Sequence, residues 1–149
     1  MDDATRATAP VHLWVIGLLG ILWNGFSGFD FAMTVTANPA YLANYGPDVT
    51  HYLLSMPAWY VAFWALGVWS GLAGSLLLLA RSKHAVSLLA LSLVGLLVTT
   101  VYQFLLSAPP ADYTTTNMLL KMLLAWAVAI GLFLYARGLQ SRGLLGELT

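Results

Sequence analysis

Four apolar runs, at residues 11–35, 58–80, 85–107 and 118–136, dominate this chain. Each is long enough to cross a bilayer, since about 20 helical residues rising 1.5 Å each cover the hydrocarbon core. No water reaches the backbone there, so its polar groups must bond within the segment, and such runs fold as helices. Only 8% of the residues are charged, against about 25% in a soluble domain. The expected fold class is an all-α membrane protein, a four-transmembrane-helix bundle forming one domain over residues 1–149.

The charges orient the runs. Arg6, Arg81, Lys83, Arg137 and Arg142 fall on one side, whereas the connections at 37–57 and 108–117 hold no Lys or Arg. Only Lys121 lies near that second side. The excess of basic residues on the cytoplasmic side of membrane proteins places both termini and the 81–84 turn in the cytoplasm. Val35-Thr36-Ala37 has the small residues of a cleavage site. The apolar run before it is too long for a signal peptide and the leader lacks net positive charge, so a retained span is expected. In the first outer connection Val49, Tyr52, Leu53 and Met56 share one helical face, and Pro47 and Asp48 suit a first turn. A short interfacial helix is expected there, with Tyr41, Tyr45 and Tyr52 at headgroup level. The second and fourth runs both end Ala-Arg, at Ala80-Arg81 and Ala136-Arg137, a faint echo of a parallel repeat.

Six Lys/Arg balance six Asp/Glu, so there is no basic surface for nucleic acid. The absence of cysteine excludes disulfides, thiolate metal sites and cysteine nucleophiles. His12 and His84 fall at the cytoplasmic ends of two spans and His51 lies on the outer connection. A haem or metal needs ligands matched in depth inside the bundle, so neither cofactor nor metal is expected. Ser27 and Asp30 have no histidine at their depth, and no nucleophile–base set can be argued.

Asp30 is the only carboxylate inside an apolar run. At mid-bilayer it would cost at least ~2.5 kcal/mol, so it needs a partner, a cavity or the interface. Gln103 and Lys121 lie at a similar distance from the outer boundary, Tyr102 precedes Gln103, and Asn24 sits deeper with Ser27 and Gly28 on its stripe. Turned inward, Asn24, Asp30, Tyr102, Gln103 and Lys121 would line a ligand site open to the outer side, with Asn24 as its floor. The plainer alternatives are an Asp30–Lys121 ion pair, snorkelling of both, and helix–helix bonding through Asn24. Gly67, Gly71 and Gly74 line a face of the second span that lets another helix approach closely.

The string Leu22-Trp-Asn-Gly-Phe-Ser-Gly-Phe-Asp30-Phe-Ala-Met-Thr34-Val-Thr36 is followed by Pro57-Ala-Trp59, Val68-Trp-Ser-Gly71, Gly74-Ser-Leu-Leu-Leu-Leu-Ala-Arg81 and Val101-Tyr-Gln-Phe104. Together they resemble a group of small four-span inner-membrane proteins of proteobacteria, mostly uncharacterised, some carrying the label "sugar transporter". The resemblance implies four spans, a bacterial inner membrane and transport, and brings no residue roles with it.

Three functions are open to such a chain. The first is a transporter or transport subunit for a polar small molecule such as a sugar. Four spans leave little room for an enclosed path, so it would run between protomers of a homo-oligomer joined through the Gly67–Gly71–Gly74 face. The second is a non-catalytic accessory or structural subunit of a larger membrane complex. The third, with least support, is an enzyme acting on lipid or quinone.

Overall fold

The computed structural model describes residues 10–146; the leader with Arg6 and the residues from Glu147 onward lie outside the described residues. Helix α1 (Val11–Val35) leads through two short helices, α2 (Pro39–Leu42) and α3 (Pro47–Leu54), into α4 (Ala58–Leu79). Helix α5 (His84–Val101) continues into a π-helical turn (Tyr102–Leu106), and α6 (Thr116–Ser141) closes the bundle. Four helices, α1, α4, α5 with its π turn, and α6, are long and apolar enough to cross a membrane. The expected short helix in the first connection is α3, with Val49 buried; Met56 lies beyond its end.

Small residues decide how the helices meet. Along α1, Gly17, Gly20, Asn24 and Gly28 are buried. A Cβ at Gly17 would meet Leu79, one at Gly20 would meet Ser75, and one at Gly28 would meet Val68 and Trp69. Helix α1 therefore lies antiparallel to α4 with its glycine stripe inward. The other side of α4 meets α5. Gly74 faces Leu89, Gly71 faces Ser92, and Gly67 faces Gly95. The Gly67–Gly71–Gly74 face is thus filled from within the chain by α5 and by Asn24 of α1. It is not the free surface between protomers that its spacing suggested.

The apolar core gathers at the end of the bundle that carries the 81–84 turn. Leu13, Leu78, Ala85, Leu89, Leu132, Ala136, Leu139 and Leu145 form one buried cluster there. Helix α6 contributes to that cluster, and Trp126 Nε1 donates to Thr100 Oγ1 of α5 at 3.2 Å. Along the opposite half of α6, Leu119, Leu120, Leu123 and Leu124 are exposed. In a bilayer such a surface is solvated by lipid tails.

Helix α6 also outruns its expected end at residue 136, passing through Arg137 to Ser141. A basic residue marks where the hydrocarbon ends but does not break a helix. The helix stops where Gly143 takes a φ of 69°. Leu144 N–H then bonds Leu139 O, and Gly143 N–H bonds Gln140 O, both at 3.0 Å. This is a Schellman closure. Helices α1 and α4 close the same way on non-glycine residues, Ala37 (φ 50°) and Arg81 (φ 58°). The Ala-Arg echo therefore has two structural outcomes: α4 ends at Ala80-Arg81, whereas α6 runs on through Ala136-Arg137.

The tail beyond α6 returns to the α4–α5 turn. Gly146 N–H donates to Arg81 O at 2.8 Å, Lys83 N–H donates to Gly146 O at 2.9 Å, and Arg81 Nε donates to Leu144 O at 3.2 Å. Leu145 is buried between these contacts, so the last described residues are clasped to the turn.

Candidate functional site

The π-helical turn shapes the polar end of the bundle. Ser107 N–H bonds Tyr102 O at 2.8 Å, five residues back, which widens the helix over residues 102–106. Such turns recur at functional sites because they swing side chains off the α-helical register. Here the turn carries Gln103 between two phenols. Its Nε2 donates to Tyr60 Oη of α4 and to Tyr113 Oη of the 107–115 connection, both at 2.8 Å.

A second bridge lies beside the first. Ser107 Oγ donates to Gln103 O at 3.1 Å. That bond uses the only hydroxyl proton of Ser107, so Tyr52 Oη of α3 is the donor in its 2.8 Å contact with Ser107 Oγ. The rings pack edge to face or tilted around these bonds, with centroids 5.0 Å apart for Tyr60–Tyr102 and 5.1 Å for Tyr52–Tyr113 and Trp59–Tyr102. Four segments thus meet in one aromatic plug.

Asp30 joins from α1. Its carboxylate accepts the phenol proton of Tyr41 on α2, and Tyr41 in turn packs edge-on to Phe29 and Tyr45. Asn38 fixes α2 by accepting from Tyr41 N–H at 3.0 Å. The Tyr41 phenol is pushed above its ordinary range, first by burial and then by its bond to Asp30. Burial also pushes up Tyr113, helped by its neighbours Tyr60 and Tyr52 and by the charge of Asp30. Burial likewise raises Tyr52. These phenols are held neutral, as donors and acceptors.

The five residues expected to share a site separate into three places. Asp30, Tyr102 and Gln103 belong to the aromatic end. Asn24 is buried deeper, between α1 and α4, where Nδ2 donates to Gly20 O at 2.8 Å and Ser75 Oγ at 3.3 Å. The cavity beside it measures about 20 Å³, and none of the other four residues lines it. Asn24 is therefore not the floor of a vestibule open to the outer side. Lys121 is exposed on α6, while Met118, Met122, Ala125 and Trp126 occupy the half-buried positions of that helix. Asp30 takes the phenol of Tyr41 as its partner rather than Lys121.

The sequence places Tyr41 and Tyr52 at headgroup level and singles out neither Tyr60 nor Tyr113. Their packing depends on how two connections fold over the bundle end, which no local pattern announces. His12 pairs through Nδ1 with Tyr135 Oη of α6, ring edge to ring face. Among the described residues no group of three or more His, Asp or Glu could hold a metal. A wider concavity of about 640 Å³ opens on the outside of α2 and α3, lined in part by Leu42, Tyr45, His51 and Leu54. It includes none of the five expected residues.

What this arrangement does chemically is bind the chain to itself. Each side-chain proton of the Gln103 amide, the Ser107 hydroxyl and the Tyr41 and Tyr52 phenols has an acceptor within the chain. Comparison with protein-family models, with curated proteins and with solved structures finds no match for this chain.

Proposed function

We propose that this small multi-pass membrane protein is a non-catalytic subunit that acts by assembling with other membrane proteins. One observation carries this reading: the side chains of Asp30, Gln103 and Asn24, which lie within its spans, take their hydrogen-bond partners from the chain itself. Asp30 goes to Tyr41, Gln103 to Tyr60 and Tyr113, and Asn24 to Gly20 and Ser75. A solute pathway needs polar groups facing a space of solute size, and small-molecule sites usually enclose about 300–1,000 Å³. The internal cavity beside Asn24 is about 20 Å³. The one-sided distribution of basic residues supports both termini facing the cytoplasm, and the resemblance stated above supports a bacterial inner membrane.

The test is the composition of the native particle. The protein is extracted from its own membrane into nanodiscs and weighed intact by native mass spectrometry. A stoichiometric complex with a larger membrane protein is the expected result, and Asp30→Asn leaves that association intact. A homo-oligomer that retains a polar small molecule, with uptake abolished by Asp30→Asn, would overturn the reading. Transport between protomers would then take its place.

A further inference from the structure

We infer that the cavity beside Asn24 is a binding site for a single water molecule, which bridges α1 and α5 in the middle of the membrane. The cavity lies where α1, α4, α5 and α6 meet, and its lining includes Trp23, Asn24, Gly71, Ser92 and Ala129. Its volume of about 20 Å³ exceeds the roughly 10–15 Å³ that one water requires.

The hydrogen-bond inventory gives the site its polarity. Asn24 is 8% exposed. Only Nδ2 can donate to the carbonyl of Gly20, so the orientation of the amide is fixed, and its second proton goes to Ser75 Oγ. Oδ1 is left on the opposite side, facing Gly71. Ser92 Oγ gives its proton to Gly67 O at 2.7 Å and keeps its lone pairs. The point that a Cβ on Gly71 would occupy lies 2.3 Å from Asn24 Oδ1 and 2.8 Å from Ser92 Oγ. Two acceptors thus converge on one small space with no donor between them.

A water has two protons to give, one to each oxygen, at ordinary distances of about 2.8 Å. The lining carries no charged side chain to offset the dehydration of an ion. Gly71 matters because a Cβ there would stand 2.3 Å from Asn24 Oδ1 and force the amide out of place. This site stands independently of the role proposed for the whole protein.

The test is water-to-protein magnetisation transfer by solid-state NMR on the full chain in lipid bilayers. Transfer from water to Gly71 and Ser92 is expected, while Leu78, fully buried in the apolar cluster, stays dark. Ala129→Leu fills the cavity from α6, leaves Asn24 and Ser92 themselves unchanged, and should abolish the signals at Gly71 and Ser92. No transfer to Gly71 and Ser92 in the native sequence would overturn the inference. So would equal transfer to Leu78, or signals that survive in Ala129→Leu.

Discussion

Gly67 and Gly95 meet backbone to backbone: a Cβ placed on Gly95 would stand 2.5 Å from the Cα of Gly67. The reverse is looser, since a Cβ on Gly67 would find Gly95 backbone atoms at 3.4 Å. The contact is therefore asymmetric, and the two glycines should respond differently to the same substitution. Gly95→Ala forces α4 and α5 apart and should cost about 3 kcal/mol, at the upper end of overpacking effects. Gly67→Ala should cost less than about 1 kcal/mol. Reversible unfolding in mixed micelles, comparing the two variants with the native chain, measures the difference.

Gln103 ties α4, the π turn and the 107–115 connection together. Gln103→Leu keeps the bulk but leaves two phenol oxygens without their donor, and should destabilise the fold by about 2 kcal/mol. Hydrogen exchange should rise at Tyr113 and its neighbours more than at the core around Leu78. Lys121→Ala, on the exposed side of α6, should move neither quantity by more than about 0.5 kcal/mol.

The aromatic end makes a pH prediction whose sign follows from the tyrosines. Tyr41, Tyr52 and Tyr113 are all raised above their ordinary value in the folded chain, chiefly by burial. Their contribution to stability is complete below the unfolded phenol value of about 10, and it is lost as pH climbs above that. Of the seven tyrosines in the chain, Tyr41 and Tyr113 should stay un-ionised at about pH 11 while the protein remains folded. Phenolate absorbance should then jump when the chain is unfolded at the same pH. Smooth ionisation of all seven near pH 10 would count against the packing described.

Ala37 occupies a left-handed turn position that costs an L-residue roughly 1 kcal/mol or more. Ala37→Gly removes that strain at the end of α1, partly offset by the freedom glycine gains when unfolded. A net stabilisation of about 0.5 kcal/mol is expected, read as a higher unfolding midpoint. The matching change at Arg81 should gain less, because its Nε bond to Leu144 O would be lost.

The four spans were legible because hydrophobic length and charge placement act along one dimension, and the bilayer reads that dimension directly. Which side of each helix turns inward was harder. Leu89 is buried and Leu91 is exposed, two positions apart in the same leucine-rich run. When lipid is as apolar as the core, the alternation that marks a soluble amphipathic helix disappears. The better signal was spacing of small residues. Gly17, Gly20, Asn24 and Gly28 repeat at intervals that keep one helical face, and all four are buried. Glycine alone does not suffice, since a Cβ on Gly25 or Gly131 would meet nothing within 4 Å. Lys121 shows the same limit from the polar side. Its depth matched that of Asp30, but depth says nothing of azimuth, and the π turn that aims Gln103 leaves no mark in the sequence.

The return of the tail to the α4–α5 turn has a mechanical consequence. A pull on the chain beyond residue 146 does not first peel α6 from its neighbours. The load passes into the backbone hydrogen bonds that Gly146 makes with Arg81 and Lys83, and into Leu145 behind them. Two turns of the chain that are far apart in sequence therefore share the force. The rupture that follows releases a hairpin and a helix together, so the stiffness of this end belongs to the pair of connections rather than to any single span.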